Sequence, residues 1–174
     1  DWESLEKAKD QFLQLPLWSV WLAMAISVAV AEELFFRGFV LVACGLNQKP
    51  WQAIFLSSLL FGAFHTIAAS ALAIERFLPS FFLGLFLGWI AFRSGSIVPG
   101  ILVHALHNGL LFTMPYYEST LASWGLDVQE QQHLPGSWLL AGFAATLLGL
   151  AWIHRLTRRS PPPPAWVPAE NTTG

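Results

Sequence analysis

Residues 29–40 read AVAEELFFRGFV, and this stretch decides the fold class because Glu32, Glu33 and Arg37 stand inside an otherwise apolar run. The cost of those three charges depends on the solvent around them. The whole chain has 55% hydrophobic and 11% charged residues and a mean hydropathy of +0.52, whereas charged residues make up about 25% of an ordinary soluble domain. This is the composition of a membrane protein. Apolar runs of about 20 residues, the length a bilayer asks of a helix, can be read at 17–46, 51–74, 77–93, 97–115 and 137–154. They are long and continuous, whereas barrel strands would show alternating segments of about ten residues. The predicted fold is therefore all-α, a polytopic membrane bundle of about five transmembrane helices.

The flanks divide the chain into three parts. Residues 1–16 carry apolar Leu5, Phe12 and Leu15 among charges, the pattern of an amphipathic helix lying in the membrane interface. Residues 17–155 form the membrane-embedded domain. Residues 156–174 are basic and then proline-rich, ending SPPPPAWVPAENTTG, and cannot pack as a helix, so an extended, disordered tail is expected. Outside the spans, Lys49, Arg93, Arg155, Arg158 and Arg159 fall on one side, against Lys7, Lys9 and Arg76 on the other. That asymmetry puts the C-terminus in the cytoplasm. The loop 116–136 has Glu118, Asp127 and Glu130 but no Lys or Arg, and falls outside together with the N-terminal segment. Asn171 heads a glycosylation acceptor but lies on the wrong side to be used.

Other features narrow the class. The first apolar run is too long for a signal-peptide core and lacks a cleavage site. Asp1 where a methionine would stand reads as a piece of a larger membrane protein, to which the domain would be fused or bound. Cys44 is alone, so no internal disulfide is expected. A net charge of −2 gives no sign of nucleic-acid binding, and the lipid bilayer is the first partner to expect.

A charge at the centre of a membrane helix costs about 2.5–3.5 kcal/mol on insertion scales, and such residues face a bundle interior or a wet cavity. Glu33 and Arg37 are four apart with the glutamate N-terminal, the favourable order for a helical ion pair. Glu32 has Phe36 at the fourth position and is left as the free carboxylate. Two other runs bring polar groups. LLFGAFHTIAAS places His65 one turn after Phe61, and GILVHALHNGLLF places His104 and Asn108 on one helix face with His107 beside them. Counted from Leu46, Trp51 and Ile97, the groups Glu32, His65 and His104 lie at broadly similar depth in the inner half, where a single polar cavity would gather them.

Three motifs in order on separate runs carry a resemblance. EELFFR resembles the EExxxR motif, FGAFH the FxxxH motif and HALHN the HxxxN motif of the CAAX protease and bacteriocin-processing (CPBP) family, intramembrane endopeptidases that include the type II CAAX prenyl proteases and the bacterial Abi proteins. The resemblance spans about residues 17–115 and implies a peptidase of a prokaryotic plasma membrane acting on a membrane-associated peptide or protein. It implies that Glu32 and His65 activate a water, that Glu33 and Arg37 support them, and that His104 and Asn108 stabilise the oxyanion. Family members commonly have further helices ahead of the first motif, whereas only 1–16 precede it here.

Elementary chemistry agrees with these roles. A carboxylate in a low-dielectric cavity is a stronger base than one in water, and each donor aimed at an oxyanion can contribute a few kcal/mol. Metal dependence is also attributed to the family. A zinc ion would draw its ligands from Glu32, Glu33, His65 and His104, but no HExxH occurs to argue it from local spacing. Taken singly, the residues have plainer readings: Glu33 and Arg37 as a helix staple, His65 and His107 as packed histidines, Asn108 as helix glue, Phe61 and the nine tryptophans as packing and interfacial anchors. Two other functions fit the same residues, an ion or proton pathway and a catalytically inactive scaffold for another membrane protein. A serine peptidase does not fit, since Arg93-Ser94-Gly95-Ser96 lies in a connection without a nucleophile elbow.

Overall fold

The computed structural model describes residues 2–68 and 76–124 together with residues 140, 144, 148, 149, 151 and 155, with backbone alone at 2–6. Every described element is helical, in the order α1 (Trp2–Leu13), α2 (Leu17–Gly45), α3 (Pro50–Ala68), α4 (Phe77–Ser94), α5 (Val98–Thr113), a 3₁₀ turn (Met114–Tyr117) and α6 (Glu118–Ser123). Prolines mark the starts, because a missing N–H costs nothing in a first turn. Pro16 precedes α2, Pro50 opens α3 and Pro99 is the second residue of α5. At the other end of α4, Gly95 adopts φ 66°, the left-handed conformation suited to glycine, and donates its N–H to Ala91 O at 3.0 Å.

Two stretches of α2, Trp21–Ile26 and Leu34–Val40, are π-helical. In the second, Leu41 N–H donates to Phe36 O, five residues back. The same carbonyl also accepts the Ser57 hydroxyl of α3 at 3.0 Å. The widened turn is thereby tied to the neighbouring helix immediately beyond Glu33.

The described residues divide into two compact units, Ser27–Ala105 and residues 2–26 with the described residues from 106 to 155. In the first unit α3 and α4 approach closely because glycines leave room. A Cβ on Gly84 would lie 3.1 Å from Ser58 Cα and Cβ, one on Gly88 3.1 Å from Ile54 Cγ2, and one on Gly62 3.1 Å from Phe77 O. Small residues at such crossings are how helices associate in lipid, where apolar burial gives no net drive. Leu41, Ala53, Ile54 and Ala91 form a buried cluster beside them, flanked by Cys44, Leu85 and Phe92.

In the second unit, α1 is fastened to the segment around Tyr116. The Tyr116 hydroxyl reaches the carbonyls of Phe12 (3.0 Å) and Leu15 (2.9 Å) at the end of α1, the Phe12 and Tyr116 rings meet edge to face at 5.7 Å, and Lys9 pairs with Glu118 at 2.7 Å. Trp21 Nε1 donates to Thr113 Oγ1 at 2.9 Å, and its ring occupies the space a Cβ on Gly109 would fill, with a 2.5 Å approach.

Of the five expected spans, α4 alone among the described residues is by itself long and apolar enough to cross a membrane. Leu17–Gly45 qualifies only jointly with Lys7–Leu13, from which it is bent by 102°. α5 has 16 residues, about 24 Å at about 1.5 Å per residue against a hydrocarbon core of about 30 Å. The run expected at 51–74 is described as helix to Ala68. The run 137–154, apart from single residues, and the tail 156–174 lie outside the described residues. Only 28% of the apolar window of α4 is buried within the protein. Outward apolar side chains such as Ile67 (79% exposed) and Phe82 (62% exposed) suit a lipid environment and would be a large apolar surface in water.

Candidate active site

Within the unit Ser27–Ala105, three helices bring charged and imidazole groups together. Glu33 of α2 is fully buried, and Arg37, one turn on, is 2% exposed. Arg37 Nη1 donates to Glu33 Oε1 at 2.7 Å, and Nη2 donates to the carbonyl of Gly84 on α4 at 3.1 Å. The expected ion pair therefore forms, with a second anchor on α4. That anchor exists because Gly84 lacks a side chain and α4 can lie against Ser58 and Phe61.

Phe61 of α3 closes the other side of the arginine, its ring centroid 4.5 Å from Arg37 Cζ, a cation–π contact made away from water. The same ring lies 4.4 Å from the imidazole of His65 and 5.8 Å from that of His104. Phe61 thus touches Arg37 and stands beside both imidazoles, more than the packing and anchoring its residue type announced in the sequence.

His104 on α5 is 1% exposed and its Nδ1 lies 2.9 Å from Glu33 Oε1. Its other nitrogen, Nε2, is 3.6 Å from Glu32 Oε2. His65 mirrors it: Nδ1 is 3.0 Å from the carbonyl oxygen of Phe61, and Nε2 is 3.6 Å from the same Glu32 oxygen. Glu32, His65 and His104 therefore converge on one point, with Glu32 and His65 partly exposed and His104 sealed behind them. Asn108 stands one turn beyond His104 on α5, in the other unit, as does His107.

Two carboxylate oxygens, Glu32 Oε2 and Glu33 Oε2, are buried without a hydrogen-bond partner among the described residues. Glu33 Oε2 faces Gly100 of α5, where a Cβ would approach to 3.1 Å. Gly100 is a contributor the sequence did not announce, because its part is to leave space. No three of the described His, Cys, Asp and Glu side chains are arranged to hold a metal ion. The zinc set drawn from Glu32, Glu33, His65 and His104 is therefore not assembled as a metal site among the described residues. The chemistry below is accordingly carried by the side chains.

What the arrangement can do is hold a small hydrogen-bonding molecule against a carboxylate and two imidazoles. A separation of 3.6 Å is too long for a direct hydrogen bond and leaves each group with capacity for a third partner. Behind that point, Arg37, Glu33 and Gly84 form a second layer that fixes His104. No curated protein and no solved structure matches the chain. The family model described as type II CAAX prenyl endopeptidase, Rce1-like, matches residues 14–110, more than half of the 174-residue chain, with Glu32, Glu33, Arg37, His65, His104 and Asn108 inside it, and the chain belongs to that Rce1-like family.

Proposed function

We propose that the chain is an intramembrane endopeptidase that hydrolyses a peptide bond of a membrane-associated peptide or protein, using a water activated by Glu32 and His65. The observation that carries this reading is Glu32 Oε2, buried, without a hydrogen-bond partner, and 3.6 Å from two imidazole nitrogens. A water at that point donates to the carboxylate, which takes its proton as the water oxygen attacks the peptide carbonyl carbon. His65 Nε2 accepts the second hydrogen of the same water and orients it. The proton held by the Glu32 carboxyl then passes to the leaving amine, restoring the carboxylate. Asn108 carries an amide donor suited to the developing oxyanion. The part played by His104 depends on which ring nitrogen carries its hydrogen.

Glu32→Gln tests this directly, because it keeps the shape of the side chain and its hydrogen bonding while removing the charge that takes a proton. Wild-type and Glu32→Gln protein are incubated in liposomes with a library of membrane peptides, and products are identified by mass. Cleavage by wild type alone is expected; equal cleavage by both proteins sinks the role of Glu32. An ion or proton pathway would instead show flux without cleavage, and an inactive scaffold would show neither in wild type.

A further inference from the structure

We infer that both imidazoles of the site are held as the Nδ1–H tautomer, so that His104 meets the reaction with a lone pair on Nε2, as an acceptor beside Glu32 and not as an oxyanion donor. The assignment follows from the partners of each Nδ1. His104 Nδ1 lies 2.9 Å from Glu33 Oε1, and that oxygen already accepts Arg37 Nη1 at 2.7 Å. A guanidinium only donates, and a carboxylate paired with it presents lone pairs. The short contact to His104 therefore requires the hydrogen to be on Nδ1. His65 Nδ1 lies 3.0 Å from the carbonyl of Phe61, which can only accept, so it too carries its hydrogen there. Each Nε2 is 3.6 Å from Glu32 Oε2, which has no hydrogen-bond partner among the described residues, so nothing there holds a second hydrogen on either ring, and in an imidazole with one N–H the bond made by one nitrogen fixes the state of the other.

Both Nε2 atoms are thus acceptors, and both face Glu32 Oε2 at 3.6 Å. Three lone-pair atoms converge with no hydrogen between them. Such a face takes a molecule that brings two hydrogens, and a water that donates both has its own lone pairs turned away from the protein groups, toward an incoming carbonyl carbon. His104 then competes for the water's hydrogens and does not serve the oxyanion. Glu33 becomes a positioning residue: it acts through His104, and Arg37 and the Gly84 carbonyl hold Glu33 and Arg37 in turn.

The consequence for the oxyanion rests on the peptidase reading, whereas the tautomers do not, and the test uses a readout that needs no turnover. The 174-residue chain labelled with ¹⁵N at its five histidines is studied in detergent micelles at neutral pH by two-bond ¹H–¹⁵N correlation, which shows the protonated nitrogen of each ring. The signals of residues 65 and 104 are assigned by their loss in His65→Gln and His104→Gln proteins. Nδ1–H patterns at both residues are expected. An Nε2–H tautomer or a doubly protonated ring at His104 overturns the inference. Glu33→Leu combined with Arg37→Leu supplies the second arm, since the double variant removes the acceptor of His104 Nδ1 without leaving a buried guanidinium unpaired, and it is expected to release His104 from a single Nδ1–H form into a mixture of tautomers with His65 unchanged. A His104 pattern indifferent to that change, in a protein that keeps its helical circular dichroism, removes Glu33 from the positioning role. Retained tautomers in a protein that cleaves nothing would leave the inference standing and set aside the peptidase reading alone.

Discussion

Glu33 and Arg37 show how much a single residue's cost depends on its neighbours. Neither has appreciable contact with solvent, and a buried ion pair adds little by itself, yet removing one partner leaves an uncompensated charge and costs about 3–5 kcal/mol. Arg37→Ala should therefore lower the melting temperature of the detergent-purified protein and its folded yield, an unchanged melt being the outcome that refutes the role. Arg37→Lys should recover only part of the loss, because an ammonium lacks the planar fork that reaches Glu33 and the Gly84 carbonyl together. The pair was legible in the sequence, since spacing by four on a helix is a local property. Gly100 was not legible. Its importance lies in the 3.1 Å between a would-be Cβ and Glu33 Oε2, and no single-chain pattern says which glycine faces which carboxylate. Gly100→Ala is expected to destabilise by about 1–3 kcal/mol, since Glu33 is pinned on its other oxygen by two donors and cannot retreat.

At the scale of elements, α4 carries none of the three motifs and reads in the sequence as a connecting span. In the structure its glycines set how near it comes to α3, and that approach places the Gly84 carbonyl within reach of Arg37. Gly84→Ala should push the helices apart, costing about 1–3 kcal/mol as overpacking does, and weaken the bond to Arg37. Gly38→Ala is the matched control: it lies on α2 with only the Glu33 carbonyl, at 3.9 Å, near a new Cβ, and should stay within about 0.5 kcal/mol of wild type. Similar melting shifts for the two variants would contradict this picture of α4. Hydropathy located the helices in outline because apolar runs are a summed property. It could not show the π-helical turns of α2 or the 16-residue length of α5, which depend on hydrogen bonding and on where each helix stops.

For the whole molecule, the question is which way the chain lies in its membrane. Bringing Glu32, His65 and His104 together from three helices was anticipated from their similar depth below one end of each run, where a single cavity would gather them, and that end is the one flanked by Lys49 and Arg93. Positive flanks stay in the cytoplasm, so the site should open toward the cytoplasmic half and the C-terminal tail should lie on the same side. Single cysteines on a Cys44→Ser background report this: Glu170→Cys in the tail, and Ser119→Cys on the exposed face of α6. A membrane-impermeant maleimide applied to intact bacterial cells is expected to label position 119 and to reach position 170 only after permeabilisation. The reverse pattern would place the tail outside, and with it the mouth of the site, so that a substrate would have to approach from the opposite face of the membrane.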